Sequence, residues 1–309
     1  MALYAFDGTW NSEHDTGVYG VNTNVVEFAR AYDGRLAVVQ KEGADGEPSV
    51  RDDFYESGLG TRHGWLGKII GGAFGVGGHE RMEEGKAAIA KHFAEGDEII
   101  DIIGFSRGAA LALHFSNIIK GMTFPNKLGV QTPVKVRFLG LWDVVAAFGI
   151  PVDLGPLHFT RINLGFRLTL GDHVQYCFHA MALDEKRDAF HVTRIDNAYQ
   201  VWFRGVHSDV GGGDENPGLN NISLRWMLRK AMKVGLPVDQ TLADKLVVDP
   251  SATDKPASLG PARSFREVKP SDRIHYTVSP RDVPICQNPP AGCPVETQED
   301  EANLLQLPK

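Results

Sequence analysis

The chain has 309 residues, of which 42% are hydrophobic and 23% charged, and its formal net charge is −7. This composition is typical of a globular protein large enough for one sizeable α/β core. The acidic balance and the lack of a long Lys/Arg run argue against a nucleic-acid partner and against steady binding to anionic lipid.

Three cysteines, Cys177, Cys286 and Cys293, occur without C-x-x-C spacing, so we expect no zinc site, other metal site or cofactor. A bridge between Cys286 and Cys293 stays open if the chain reaches an oxidising compartment. The first residues run directly into Asp7, without a basic segment followed by a long apolar one, and no stretch is long enough to span a membrane. We therefore expect a cytoplasmic protein as synthesised.

The first elements expected along the chain are a strand over residues 3–6, a helix that Asn24 caps with Glu27 three residues on, and a strand over 35–40. Residues 58–78 then hold nine glycines among apolar side chains and fit no phosphate-loop pattern. This segment is either a packed loop or one wall of an apolar acyl pocket, with Phe74 and Val76 as substrate-binding candidates.

The next predicted helix covers residues 80–93, and the apolar run 98–103 predicts a buried strand. This strand leads into G-x-S-x-G at 104–108, and a helix over 109–119 follows. In an α/β-hydrolase this strand–turn–helix lifts a serine hydroxyl above the sheet. Ser106 is therefore a candidate nucleophile, although a solvated serine in a Gly-rich turn would give the same pentapeptide.

Further strands are expected over 134–141, 173–183 and 199–203, and an amphipathic helix over 222–234. Residues 151–168 are apolar but broken by Pro and Gly, which favours a small lid or insertion, with Leu154 and Leu157 as further substrate-binding candidates. The alternation predicts an α/β-hydrolase-like fold: a mostly parallel central sheet with helices on both faces. We expect residues 1–235 to form the catalytic domain, and the Pro-rich extension 236–309, with one strand at 273–278, to wrap it.

A serine nucleophile needs a histidine to take its proton and a carboxylate to orient that histidine. Asp143 follows the first strand after Ser106, and His207 follows the strand at 199–203 in a flexible Gly-rich loop. Both lie where the carboxyl ends of parallel strands gather ligands, in the order Ser, Asp, His. Taken singly, Asp143 could cap a helix and His207 could be a packed loop residue.

An oxyanion hole needs two backbone N–H groups. We expect the first from Arg107, directly after the nucleophile, and the second from Gly8 or Thr9 after the first strand. Asp7 and Asp209 are better explained as turn-forming carboxylates than as hydrogen-bond acceptors at the site or calcium ligands.

Six blocks of sequence resemble a bacterial and fungal family of uncharacterised α/β-hydrolase domains, some of whose members are phospholipase effectors of the type VI secretion system. The blocks are FDGTWN at 6–11, GGAFG at 71–75, GFSRGA at 104–109, GLWD at 140–143, ALDE at 182–185 and VWFRGVHSDVGGG at 201–213. The resemblance implies Ser106 as nucleophile, Asp143 as acid and His207 as base of a carboxylic ester hydrolase.

The substrate that the resemblance implies is a lipid ester, cleaved by a phospholipase or lipase through an acyl-enzyme. It also implies transient membrane contact, a secretion-machinery or immunity-protein partner, and export without a cleaved signal. Two alternatives remain: an esterase or thioesterase for small soluble substrates, and a non-catalytic interaction module on the same fold.

Overall fold

The structure is a computed structural model that describes residues 1–8, 22–33, 35–36, 54–56, 77–146, 167–187, 190–213, 217–252 and 264–302. Its strands, in chain order, are β1 (Ala2–Phe6), β2 (Arg35–Leu36), β3 (Phe54–Glu56), β4 (Ile100–Phe105), β5 (Thr123–Pro125), β6 (Gln131–Pro133), β7 (Val136–Trp142), β8 (Val174–Ala182), β9 (Tyr199–Phe203), β10 (Arg273–His275) and β11 (Val295–Glu296).

Nine of these described strands form one sheet in the order β11-β10-β9-β8-β7-β4-β1-β2, with β3 also pairing with β1. Every pair in this sheet is parallel, whereas β5 and β6 form a separate antiparallel hairpin. Because the strands are parallel, the carboxyl ends of β1, β4, β7, β8 and β9 meet at one edge, where ligand sites form in such sheets. The predicted mostly parallel α/β sheet is confirmed.

The helices are α1 (Asn24–Ala31), α2 (Gly77–Glu95), α3 (Ser106–Ile119), α4 (His207–Gly211), α5 (Pro217–Lys233), α6 (Gln240–Lys245) and α7 (Gln298–Ala302). Two hydrophobic clusters show that helices cover both faces of the sheet. One cluster joins α1 and α5 to the sheet through residues such as Phe28 and Trp226, and the other joins α2 and α3 through residues such as Ile89 and Phe115.

The buried strands explain why their sequences read as continuous apolar runs. In β1, Leu3 and Ala5 belong to the first cluster, whereas Tyr4 and Phe6 belong to the second. Successive side chains of a strand point to opposite faces, so a strand covered by helices on both sides must be apolar at every position.

Several boundaries differ from the predicted ones. The cap of α1 is Thr23, whose hydroxyl accepts a hydrogen bond from Val26 N, and the predicted cap Asn24 is the first helical residue. The Asn24 side chain instead donates to Val210 O and Ser223 Oγ, which ties α1 to α4 and α5. The tail strand predicted over 273–278 ends at His275. The sequence analysis does not predict β3, the β5–β6 hairpin, β11, α6 or α7.

The described part of the C-terminal extension lies against the same sheet, because β10 pairs with β9 and β11 pairs with β10. Glu296 on β11 is fully buried, and its carboxylate contacts Lys230 at 2.7 Å and Trp226 Nε1 at 3.0 Å on α5. The domain division at residue 235 stays a prediction. Among the helices of the described ranges, none is long and apolar enough to cross a bilayer.

Candidate active site

Ser106 occupies a strained turn between β4 and α3. Its φ is 58°, in the left-handed region that a non-glycine residue rarely adopts, and its side chain is buried. The glycines on either side permit the tight packing. A Cβ on Gly104 would lie 2.7 Å from Ala109 Cα, and one on Gly108 would lie 2.3 Å from Phe6 O. Ser106 is therefore held at the carboxyl edge of the sheet, with the end of β1 against the first turn of α3.

Asp143 follows β7, also with a positive φ of 42°, and its carboxylate is fully buried. Its backbone N–H donates to Ala180 O at 2.8 Å, and its Oδ1 accepts from Ala182 N at 2.9 Å. Both partners belong to the neighbouring strand β8, so the end of that strand fixes the direction of the carboxylate.

His207 is the first residue of α4, not part of a flexible loop as the sequence predicts. The carboxylate of Asp209 accepts a hydrogen bond from Val206 N at 2.8 Å, which closes the start of this short helix. The imidazole is buried between Phe105 and Phe190, with ring centroids 4.7 and 4.6 Å away. The ring is therefore fixed by aromatic packing on two sides.

The three residues form a continuous hydrogen-bonded relay across β4, β7 and β9. The distance from His207 Nε2 to Ser106 Oγ is 2.8 Å, and from His207 Nδ1 to Asp143 Oδ2 it is 2.5 Å. The tautomer that fits both contacts has its proton on Nδ1, donates to Asp143 and leaves Nε2 to accept from the serine. The structure thus brings together Ser106, Asp143 and His207, which lie up to 101 positions apart in the chain.

Arg266 is a site residue that sequence reasoning missed. Its two terminal nitrogens donate to the two carboxylate oxygens of Asp143, at 2.6 and 2.8 Å. They also donate to Ala182 O, at 2.8 Å, and to Phe190 O. Arg266 lies in the Pro-rich extension, 123 positions from Asp143, and nothing in its local sequence marks it.

Opposing effects set the charge states of this site. Burial by itself raises the pKa of Asp143, but the charge of Arg266 and the hydrogen bond from His207 outweigh it and hold that pKa well below its ordinary value. For His207, burial lowers the pKa below its ordinary value although the bond to Asp143 works the other way. A buried anion therefore faces a histidine that is neutral at pH 7, which is the state a general base requires.

A second carboxylate lies beside His207. Glu185, after β8, accepts from His207 N at 3.2 Å and is ion-paired with Arg187 at 2.6 Å. Burial raises its pKa, but the hydrogen bonds and charge of Arg187 bring it below the ordinary value. The guanidinium of Arg187 also stacks on Phe190 at 4.0 Å, so this pair supports the aromatic wall of the imidazole.

Two of the predicted oxyanion donors follow the carboxyl end of a described strand: Arg107 comes after β4, and Gly8 comes after β1. Arg107 is in the first turn of α3, whose N–H groups have no acceptor within the helix. Gly8 N–H donates to Oδ1 of Asp7 at 2.6 Å, so it is already engaged, and Thr9 lies outside the described residues. The other oxygen of Asp7 accepts from the Thr23 hydroxyl at 2.8 Å.

The predicted acyl-pocket residues Phe74, Val76, Leu154 and Leu157 lie outside the described residues, as do most of the lid segment 151–168 and the Gly-rich segment 58–78. Over the described ranges, no group of three or more His, Cys, Asp or Glu side chains is placed to hold a metal ion. Cys177, Cys286 and Cys293 are free thiols.

Comparison with solved structures and curated proteins shows partial matches. An uncharacterised protein from Pseudomonas aeruginosa aligns with a TM-score of 0.53 at 20% identity, covering 80% of this chain and 48% of that one, which is a likeness of fold. The Tle1 effector bound to the VgrG spike of the type VI secretion system aligns with a TM-score of 0.44 at 23% identity, covering 68% of this chain and 50% of that one.

An uncharacterised protein of Saccharomyces cerevisiae is 31% identical over 68 residues, which is 20% of this chain and 10% of the yeast protein. The chain thus spans about half of each solved chain and a tenth of the yeast relative. A family model described as the catalytic domain of Tle1-like phospholipase effectors of the type VI secretion system matches residues 3–127 and 120–230. Because that match covers most of the length of this chain, the chain belongs to the Tle1-like phospholipase effector family.

Proposed function

We propose that this protein is a serine hydrolase that cleaves carboxylic esters of lipids through an acyl-enzyme. The observation that carries the proposal is the relay from Ser106 Oγ through His207 to Asp143, with contacts of 2.8 and 2.5 Å at the carboxyl edge of a parallel sheet. The left-handed φ of Ser106 supports it, because a strained strand-to-helix turn of this kind is the geometry that holds a nucleophilic serine at the edge of the sheet.

The chemistry follows from the three side chains. His207 Nε2 takes the hydroxyl proton as Ser106 Oγ attacks the ester carbonyl, and Asp143 stabilises the imidazolium that forms. The imidazolium then protonates the leaving alcohol, and the acyl group stays on Ser106. Water attacks this acyl-enzyme with the same histidine as base, which releases the fatty acid and restores the serine.

The negative charge on the carbonyl oxygen needs backbone N–H donors. Arg107 N–H, at the positive end of α3, is the first donor in this proposal, and an N–H of Gly8 or Thr9 after β1 is the second. The contact of the first turn of α3 with the end of β1 supports the pairing, since Gly108 packs directly on the carbonyl of Phe6. Gly8 can serve only if it leaves Asp7, so Thr9 is the better candidate.

Family membership supports a phospholipid as the substrate. In this proposal the apolar residues of 71–76 and 151–168 accept the acyl chain, among them Phe74, Val76, Leu154 and Leu157. Family membership also supports a secretion-machinery partner and a neutralising immunity partner. Directing the protein to the periplasm of a Gram-negative host should then arrest growth, whereas the Ser106→Ala variant should be harmless.

The decisive experiment compares two serines of the same helix. Wild-type protein should hydrolyse p-nitrophenyl esters with a preference for longer acyl chains, release fatty acid or lysolipid from phospholipid vesicles, and react with a fluorophosphonate probe. Ser106→Ala should lose all three activities. Ser116→Ala is the matched control, because Ser116 is buried in the same helix and its hydroxyl donates to Leu113 O rather than to a histidine.

Preference for short soluble esters without release from vesicles would assign a small-molecule esterase instead. A wild-type protein that neither turns over esters nor reacts with the probe would refute the catalytic assignment.

A further inference from the structure

We propose that Arg266 is a positioning residue of the triad, which acts on His207 through Asp143 as a clamp and as a compensating charge. The inference rests on the proposed function. Arg266 lies beyond residue 230, where the family match ends, so it extends the site into the C-terminal extension.

Hydrogen bonds from other residues hold both members of the Arg266–Asp143 pair in place. Arg266 makes a two-pronged contact with Asp143 at 2.6 and 2.8 Å, a geometry that restricts the carboxylate in angle as well as in distance. The backbone of Arg266 is held in turn by Gln287, whose Nε2 donates to Arg266 O at 3.0 Å and whose N donates to Asp184 at 2.7 Å. With Ala182 N and His207 Nδ1, Asp143 has four donors.

The charges around His207 are compensated in pairs. Asp143 is paired with Arg266, and Glu185, which accepts from His207 N, is paired with Arg187. Asp184, in the same loop after β8, is paired with Arg204 at 2.7 Å.

Two further titratable groups of the described residues lie at this edge of the sheet. On α4 itself, Asp209 accepts from Val206 N. His179, on β8, accepts from Val144 N, and burial lowers its pKa to about 4, so it adds no charge at neutral pH. Among the described residues, Arg266 is therefore the arginine that contacts the triad carboxylate.

The compensation has a direction that can be measured. An uncompensated Asp143 would favour the imidazolium, whereas the charge of Arg266 disfavours it and works with burial to lower the pKa of His207. Removing that charge should raise the pKa of His207. The base would then be protonated at higher pH. The acid limb of the profile, which is the pH range where the rate falls as His207 is protonated, should therefore move to higher pH.

The test measures the rate at which a fluorophosphonate probe labels Ser106 as a function of pH, which needs no knowledge of the natural lipid. Arg266→Met should move the acid limb to higher pH by about one unit, which is about a tenfold loss of rate at a pH below the limb. Arg266→Lys keeps the charge and loses the fork, so its limb should stay near that of the wild type while its plateau rate falls.

The matched control is Arg137→Met, since Arg137 makes an equivalent two-pronged contact with Asp101, at 2.9 and 2.5 Å, near the start of β7 and β4 and so at the edge of the sheet opposite the triad. The acid limb of its labelling rate against pH should lie where that of the wild type lies. Circular dichroism and thermal melts establish that each variant is folded.

A folded Arg266→Met variant whose labelling rate keeps the wild-type pH dependence would overturn the inference, as would an equal shift in Arg137→Met. If Arg266→Met does not fold, Arg266→Lys decides: a lowered plateau with an unmoved limb supports the clamp, and an unchanged profile refutes it. A wild-type protein that the probe does not label refutes the proposed function itself, which is a separate result.

Discussion

Asp143→Asn is expected to cost stability as well as activity. The substitution keeps the size of the side chain but removes the charge that Arg266 contacts at 2.6 and 2.8 Å. Both side chains are buried, at 0% exposure for Asp143 and 6% for Arg266, so water cannot replace the lost partner. The guanidinium would be left as a buried and uncompensated cation.

Breaking a buried ion pair by removing one partner costs about 3–5 kcal/mol. For a chain of this size, that is a fall in melting temperature of about 5–8 °C. The amide can also donate to His207 Nδ1 and stabilise the wrong tautomer, which should lower the turnover rate by about 10⁴-fold. The Asp143→Asn/Arg266→Met double variant removes both charges, so it should regain most of the stability and none of the activity.

Urea unfolding followed by circular dichroism measures the stability of the wild type, of the two single variants Asp143→Asn and Arg266→Met, and of the double variant. Probe labelling measures their activity. The pKa of Asp143 lies below its ordinary value in the folded chain, so its contribution to stability is present above about pH 4 and is lost as the pH falls below that value. The gap between wild type and Asp143→Asn should therefore narrow in acid. A single variant within about 1 kcal/mol of wild type, or a double variant no more stable than the single one, would refute the reasoning.

Two further predictions concern the elbow and the extension. Gly108→Ala places a methyl group 2.3 Å from the backbone oxygens of Phe6 and Asp7. It should lower the free energy of unfolding by about 1–3 kcal/mol and abolish probe labelling. Normal labelling would contradict the close packing of the turn at Ser106. Glu296→Gln leaves the buried Lys230 without its carboxylate partner. Urea unfolding should show a loss of about 3–5 kcal/mol in the free energy of unfolding, while probe labelling of the folded protein is unchanged. An unaltered urea midpoint would show that this ion pair does not hold the extension.

The residue types and positions of the central strands were readable from the sequence, because a strand buried on both faces is a continuous apolar run. The strand predicted over 199–203 matches β9, and the runs before Ser106 and Asp143 match β4 and β7 within two residues. The family resemblance is confirmed by the family match. The order Ser, Asp, His along the chain, and the rule that parallel strands present their carboxyl ends at one edge, predict the candidate site residues.

Local features that depend on residues distant in the chain could not be predicted from the sequence. The Gly-rich sequence after His207 indicated a flexible loop, yet Gly211 is needed because a Cβ there would lie 1.9 Å from the ring of Phe105. Thr23 rather than Asn24 caps α1, since the Asn24 amide is engaged by Val210 O and Ser223. Each of these outcomes depends on what packs against the residue.

By itself, the sequence determined the strands, the elbow at Ser106 and the candidates Asp143 and His207, because burial and turn chemistry act over a few neighbouring residues. Only the tertiary structure decided that Arg266 lies on Asp143 and that β10 and β11 extend the sheet. Two- and three-residue strands are too short to show a period, and an arginine in a Pro-rich segment looks like any solvated one. Its partner is set by a contact across 123 positions of chain, which local pattern cannot specify.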